Sequence, residues 1–154
     1  MDRQPNTPEI VNRKAYHDYE ILEKYIAGIE LKGTEIKSIR QGKASIKDAF
    51  CYFKDGELYV KNMHIAEYDK AGYTTHDPYR DRKLLLRRSE LNRLSGKVEE
   101  KGLTIVPLRL FINPKGWAKL EIALVKGKKK YDKRESIKKR EAQRQMERII
   151  KRYK

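Results

Sequence analysis

The residues of this sequence that could do chemistry are mainly cations, and they lie in clusters. Arg13 with Lys14, Lys37 with Arg40, and five Lys or Arg residues between positions 80 and 88 form the three clearest groups. Clustered cations bind phosphate groups, and ten Tyr residues, against three Phe and one Trp, supply rings that can stack on bases. The alternative is that these cations only make the protein soluble.

The acidic and histidine residues form no pattern typical of a catalytic or metal site. Asp77 and Asp81 could form a carboxylate pair, but their basic neighbours favour a solvated charged loop. The histidines are far apart in sequence and have no cysteine partners, so we expect surface or half-buried side chains and no metal. They are His17, His64 and His76. We therefore predict a binding protein without a cofactor, with a nuclease as the less favoured alternative.

The positive charge is concentrated at the end of the chain. The segment 126–154 holds 14 Lys or Arg and 4 Asp or Glu, a net charge of +10 out of +15 for all 154 residues. A basic tail on a body of modest charge is typical of a protein that binds a polyanion.

The single cysteine, Cys51, fits a reducing compartment, and the N-terminus has no apolar signal-peptide core. We predict a cytoplasmic monomer without a membrane-spanning segment.

Alternating apolar residues predict several strands. The first covers 19–31, with Gly28 at a bend or bulge. The segments 50–53 and 58–60 flank Asp55-Gly56, which is a strong hairpin signal. Cys51 lies in this hairpin and is expected to pack as a small hydrophobic residue.

The clearest hairpin joins 106–112 to 118–124, with Lys119 and Glu121 facing outward. Residues 66–83 show no period, and we predict a long functional loop there.

Two helices are predicted between these strands. The first covers 34–40, with Thr34 as its N-cap and Gly42 after its end. The second begins at the capping residue Ser89 and ends by Gly102.

These elements predict a mainly β fold, a small antiparallel barrel with two or three short helices at its rim. Closure into a barrel is favoured because it removes exposed strand edges. We expect a flexible N-terminus over 1–11, a single body over 12–125 and a basic tail over 126–154.

The tail has apolar residues at helical spacing, among them Ala142, Met146, Ile149 and Tyr153. The stripe is narrow and the cations repel each other, so we expect disorder in solution and a helix on a negative partner. A helix packed on the barrel is the alternative.

Several stretches together resemble the bacterial small protein B family, which partners transfer-messenger RNA. They follow the family's order and cover nearly the whole chain from Asn12. The stretches are 12–15, 19–21, 27–40, 77–78, 80–86, 101–108 and 126–134.

The resemblance implies an oligonucleotide-binding-type (OB) barrel that binds the transfer-RNA-like part of transfer-messenger RNA and delivers this RNA to stalled ribosomes. The process, trans-translation, tags the stalled peptide for degradation. The implied partners are this RNA, the small ribosomal subunit and, indirectly, the elongation factor that carries aminoacylated RNA. The family has no catalytic activity. A nonspecific single-strand-binding protein or a ribosomal structural protein remains the alternative.

The resemblance and the basic clusters together give an RNA-binding surface on the body. Its expected residues are Asn12, Arg13, Lys14, Glu35, Lys37, Arg40, Arg80, Arg82, Lys83, Leu85 and Arg87. Some relatives have a carboxylate where this chain has Ile26, so a contact made by that carboxylate would be absent here or supplied by another group.

The resemblance also implies that the tail enters the empty messenger channel of the ribosome and becomes helical there. Tyr131 stands where relatives often have His, and its ring can still stack on a base. The expected tail residues are Lys126, Lys128, Lys129, Lys130, Tyr131, Asp132, Lys133, Arg134, Lys138, Lys139 and Arg140.

Overall fold

The computed structural model describes residues 8–68, 76–100 and 102–127. The strands found there are β1 (Glu9–Val11), β2 (Tyr19–Ile29), β3 (Ala44–Ser45), β4 (Phe50–Lys54), β5 (Glu57–Lys61), β6 (His64–Ile65), β7 (Arg82–Leu85), β8 (Leu103–Ile112) and β9 (Ala118–Gly127). The helices are α1 (Arg13–Asp18), α2 (Gly33–Arg40) and α3 (Arg88–Val98).

Most of the strands form one antiparallel barrel. Their order is β1-β8-β4-β5-β7-β2-β9, and β9 pairs back onto β8 to close the ring. The strands β3 and β6 form a separate two-stranded sheet. This architecture confirms the predicted fold class, mainly β and antiparallel with short helices.

The strand β2 shows the predicted alternation of its side chains. From Tyr19 onward, every second residue is half-buried or buried, and most residues between them are exposed. The strand ends at Ile29, two residues before the predicted end. It pairs with β9 along most of its length and with β7 only at its last two residues.

The predicted irregularity at Gly28 is misplaced. The register of β2 against β9 shifts between Ile21 and Glu23 instead. Gly28 lies opposite both Leu85 and Lys119, and a Cβ atom at this position would lie 3.2 Å from the Cβ of Leu85. The glycine therefore allows the close approach of β7.

The helix α2 is confirmed, but Thr34 is not its cap. The hydroxyl of Thr34 is hydrogen-bonded to Nδ1 of His76 at 2.9 Å, and Oε1 of Glu35 accepts the backbone N–H of Lys32 at 2.7 Å. Glu35 thus satisfies a donor at the helix start. Gly42 follows the helix with φ of +75°, as predicted.

The helix α3 begins in a similar way. The backbone N–H of Arg87 donates to Oε1 of Glu90 at 3.0 Å, and the predicted cap Ser89 lies within the first turn. The helix ends at Val98, and Gly102 follows with φ of +86°.

Both predicted hairpins are confirmed. Asp55 and Gly56 join β4 to β5 with φ values of 51° and 78°, and these positive angles match the twist of the two strands. The turn between β8 and β9 is closed by Oδ1 of Asn113, which accepts the backbone N–H of Trp117 at 2.9 Å.

The core fills the barrel and extends under α2 and α3. Ile39 of α2 and Leu94 of α3 contribute buried side chains to it, and a smaller cluster around Ala15 joins α1 to β8 and β9. Cys51 is buried in the main cluster, as expected, and burial raises the pKa of its thiol.

The ends of the body lie further out than the sequence patterns suggest. Residues 9–11, expected to be flexible, form β1 and pair with β8, and Lys126, expected to begin the tail, pairs with Glu20 and Leu103 within β9. Residues 82 and 83 of the predicted loop belong to β7. The other tail residues, from Lys128 through Tyr131, Asp132 and Arg134 to Arg140 and Lys154, lie outside the described residues. In 8–68, 76–100 and 102–127 the longest helix has 11 residues, and none of the helices there could cross a membrane.

Candidate nucleic-acid interface

A buried ion cluster joins α2 to the start of β7. Oε2 of Glu35 accepts a hydrogen bond from Nε of Arg82 at 2.6 Å, and Oε1 accepts one from Nη2 of Arg80 at 2.7 Å. The carboxylate is fully buried and faces two guanidinium groups, so the cluster carries net positive charge. We refer to these three side chains as the Glu35 cluster.

Opposing effects act on the pKa of Glu35. Burial alone would raise this pKa, because desolvation disfavours the charged carboxylate. The hydrogen bonds from Arg80, the backbone of Lys32 and Arg82 outweigh burial, so the pKa of Glu35 lies below its ordinary value. The carboxylate is therefore ionised at neutral pH.

Arg82 is also fully buried and is saturated with protein partners. Besides Glu35, its guanidinium donates to the carbonyl oxygens of Met63 at 2.7 Å and Pro78 at 3.2 Å. The side chains of Glu35 and Arg82 therefore do not lie on the surface where the resemblance places them. They pack the segment before β7 against α2, while Arg80 remains 30% exposed at the edge of the cluster.

Asn12 is a third expected surface residue that is buried. It is 4% exposed, its Oδ1 accepts the backbone N–H of Ala15 at the start of α1, and its Nδ2 donates to the carbonyls of Ile46 and Pro107. The amide thus positions α1 on β8. The next two residues, Arg13 and Lys14, are exposed as expected.

Lys14 lies at the rim of a groove between α1 and the barrel. Its Nζ is 3.4 Å from Oδ1 of Asp48, and the groove, of about 310 Å³, is also lined by Tyr19 and Thr104. This groove shares no lining residue with the groove beside α2 described below.

The two basic residues of α2 are exposed, as expected. Nζ of Lys37 lies 5.5 Å from the ring centroid of Tyr68, which is a cation–π distance. Nη2 of Arg40 donates to the carbonyl of Gly116 at 3.4 Å and so reaches the β8–β9 turn.

A groove of about 540 Å³ lies where α2, β2 and the β8–β9 turn meet. Arg40, Leu85 and Trp117 are among its lining residues. Trp117 is 67% exposed and Leu85 is 47% exposed, so the groove offers apolar surface beside cations. The sequence patterns missed Trp117, although a lone Trp directly after the Asn113–Gly116 turn was a visible signal.

The outer face of β7 continues from this groove. Lys83 lies there, its Nζ 3.8 Å from a carboxylate oxygen of Glu57, and Leu85 follows two residues later. Arg87 is exposed just before α3. The structure thus brings Arg40, Leu85 and Lys83 to one continuous region.

The histidine expectation holds only in part. His76 is 2% exposed, and its ring is hydrogen-bonded between Thr34 and the carbonyl of Ile65, so it is a buried structural residue. His17 is exposed and His64 is half-buried. Across the described ranges, no three His, Cys, Asp or Glu side chains are grouped as a metal site.

The two aspartates considered as a possible pair have separate partners. Oδ1 of Asp77 accepts the backbone N–H of Tyr79 at 2.9 Å, and Oδ2 of Asp81 accepts the hydroxyl of Tyr52 at 2.6 Å. Both carboxylates therefore have structural roles in the charged loop.

Comparison with known proteins identifies relatives that match nearly the whole chain. A family model described as SmpB protein matches residues 9–152. An SsrA-binding protein from Christiangramia forsetii is 58% identical over 149 residues, which cover 97% of this chain and 95% of the relative. One from Thermus thermophilus is 54% identical over 142 residues, which cover 92% and 99% of the two chains.

A solved structure is similar in both sequence and fold. It is described as "tmRNA-SmpB: a journey to the center of the bacterial ribosome", with tmRNA denoting transfer-messenger RNA. Its matching chain is 55% identical with a TM-score of 0.66, over 80% of this chain and 85% of that chain. Matched along nearly its whole length by the family model and by relatives more than half identical to it, this chain belongs to the SmpB protein family.

Proposed function

We propose that this protein binds the tRNA-like part of tmRNA with its barrel and delivers that RNA to stalled ribosomes in trans-translation. Membership of the SmpB family carries the proposal, because the matching relatives are SsrA-binding proteins aligned over more than nine tenths of this chain. A similar solved chain comes from a tmRNA–SmpB structure concerned with the ribosome. The protein acts by binding, in the bacterial cytoplasm, and catalyses no reaction itself.

The exposed and half-buried cations of the barrel form the proposed contact surface. Lys37 and Arg40 on α2 and Lys83 on β7 contact phosphates, and Leu85 with Trp117 offers apolar surface for an unstacked base. Such contacts position a folded RNA by shape and backbone without reading a long base sequence. Arg13, Lys14 and Arg87 extend this surface as exposed cations.

The buried members of the expected site act as positioning residues. Asn12 fixes α1, which carries Arg13 and Lys14. Glu35 and Arg82 fix β7 against α2, so that Lys37 and Lys83 keep their relative places. Arg80 is proposed both as a positioning residue, because it pairs with Glu35, and as an RNA contact, because it is partly exposed.

The tail is the proposed ribosome-binding part. The residues after Gly127 hold 13 Lys or Arg and 4 Asp or Glu, a net charge of +9, which suits a channel lined by RNA phosphates, and Tyr131 can stack on a base there. We assign the residues after Gly127 to this role, because β9 continues to Gly127.

A peptide-tagging assay with stalled ribosomes and tmRNA tests the proposal. The full chain is compared with a chain truncated after Gly127, which keeps every strand of the barrel. We expect the truncated protein to bind the tRNA-like RNA as the full chain does and to support no tagging. Loss of RNA binding on truncation would contradict the division of labour, and absence of tagging with the full chain would contradict the function itself.

A further inference from the structure

Two tyrosines lie side by side on the outer face of the β4–β5 hairpin. Tyr52 is opposite Tyr59 in the register, and their rings stack with centroids 5.7 Å apart and planes 24° apart. Cys51, Leu58 and Val60 beside them are buried, so strand alternation turns both tyrosines away from the core. Both are half-buried, and neither is among the described side chains that pack on the core cluster.

The tyrosine pair continues the face that carries the proposed RNA contacts. Tyr59 lies opposite Lys83 in the register of β5 and β7, and Leu85 follows on the same strand. Two residues further along the hairpin, on the same face, Phe50 is 37% exposed and lies opposite Lys61. The two stacked rings therefore have an exposed aromatic residue, Phe50, and two cations, Lys61 and Lys83, as neighbours on the same face.

The carboxylates on this face are already engaged. Asp81 accepts the hydroxyl of Tyr52 at 2.6 Å, and this hydrogen bond, with burial, raises the pKa of Tyr52 to about 12. The ring is thus neutral at physiological pH. Glu57 pairs with Lys83 at 3.8 Å and with Arg88 at 3.3 Å, so its negative charge is partly compensated.

We infer that the Tyr52–Tyr59 pair is a stacking platform for a nucleobase of the bound RNA, which extends the RNA interface from β7 across β5 to β4. Aromatic rings on a barrel face, flanked by cations, are how OB-type barrels hold unpaired bases, because the rings stack on bases and the cations contact the backbone. The inference rests on the proposed function and adds a contact to the same partner.

Affinity measurements on ring-removing and ring-keeping variants test the platform. The double variant Tyr52→Leu with Tyr59→Leu removes both rings, and Tyr52→Phe with Tyr59→Phe keeps them. The probe is a transcript of the tRNA-like part of tmRNA, titrated at several salt concentrations. We expect the Leu variant to bind about tenfold or more weakly and the Phe variant within about twofold of the unchanged protein. The salt dependence should be the same for all three, because no charge is removed.

Equal affinity of the Leu variant and the unchanged protein would overturn the inference. If the Leu variant unfolds at a lower urea concentration, ultraviolet crosslinking of the unchanged protein to the same transcript decides. Crosslinks within residues 50–61 support the platform, and crosslinks confined to other segments overturn it. Failure of the unchanged protein to prefer the transcript over unrelated RNA would instead overturn the proposed function, and the platform with it.

Discussion

At the scale of single residues, Glu35 determines where the exposed cations lie although its own side chain is buried. It joins α2, which carries Lys37 and Arg40, to the segment that leads into β7. No local sequence pattern predicts this link, because Arg82, the partner of Glu35, is 47 residues away in sequence. The family resemblance includes both residues, and only the structure shows that their side chains are buried.

Replacing Glu35 by Gln should destabilise the protein strongly. The change keeps the side-chain shape but leaves two guanidinium groups, one fully buried, without a counter-charge. Breaking a buried ion pair in this way costs about 3–5 kcal/mol of the free energy of unfolding. Urea denaturation measures this loss, with Glu100→Gln as the control, because Glu100 and its partner Lys97 both lie in water. Equal small losses for both variants would contradict the role of Glu35.

Acid should weaken the fold by protonating Glu35 and Glu23, whose carboxylates both accept hydrogen bonds from arginines. The folded-state pKa of Glu35 lies below the ordinary value of 4.5, and hydrogen bonds from Arg93 and Tyr25 lower the pKa of Glu23 to about 2. These groups stabilise the fold fully above pH 4.5, and the contribution falls as pH drops through the folded-state pKa values. We expect the free energy of unfolding to decline between about pH 4.5 and 2, and less steeply in Glu35→Gln. A constant value over that range would contradict this.

Lys37 and Arg40 should act on RNA affinity and not on stability. Both are exposed, and the double variant Lys37→Ala with Arg40→Ala removes two proposed phosphate contacts. Binding of the tRNA-like RNA should weaken, and the slope of log affinity against log salt should fall by about 1 for each residue. The charge-matched control is Arg93→Ala with Lys97→Ala on α3. An unchanged affinity and slope would remove α2 from the surface.

At the scale of elements, the sequence patterns predicted strands and hairpins well and helix starts poorly. The alternation in β2 and the Asp55-Gly56 turn depend on neighbours along the chain, so they are visible in the sequence. Thr34 was expected to cap α2, but it bonds to His76, which the fold brings from 42 residues away. Contacts with residues distant in sequence therefore decide which of several nearby polar residues caps a helix.

Asn12 should stabilise the junction of α1 with the barrel. Asn12→Ala removes the helix cap and leaves the buried carbonyls of Ile46 and Pro107 without this donor. We expect a loss of about 2–4 kcal/mol in the free energy of unfolding, from one cap and two hydrogen bonds. Asn12→Ser keeps a capping oxygen, so its free energy of unfolding, measured by urea denaturation, should lie between those of the unchanged protein and Asn12→Ala. A loss below about 1 kcal/mol in Asn12→Ala would contradict this role.

At the scale of the whole molecule, charge divides the chain into a body of +5 over 1–125 and a tail of +10 over 126–154. Both the barrel and this division could be predicted from the sequence, because composition and alternation are properties of the chain itself. The groove beside Trp117 and the Tyr52–Tyr59 pair could not, since each depends on which strands become neighbours. The charge favours binding to polyanions in general, and membership of the SmpB family supports the proposed choice of RNA.

Competition between RNAs tests whether the barrel selects tmRNA. The full chain is bound to a labelled transcript of the tRNA-like part of tmRNA at one fixed salt concentration, because counterion release changes every affinity. Unlabelled tmRNA and an unrelated RNA of equal length then compete for the protein. We expect tmRNA to displace the label at a much lower concentration than the unrelated RNA does. Displacement by both RNAs at the same concentration would contradict it and identify a nonspecific RNA-binding barrel.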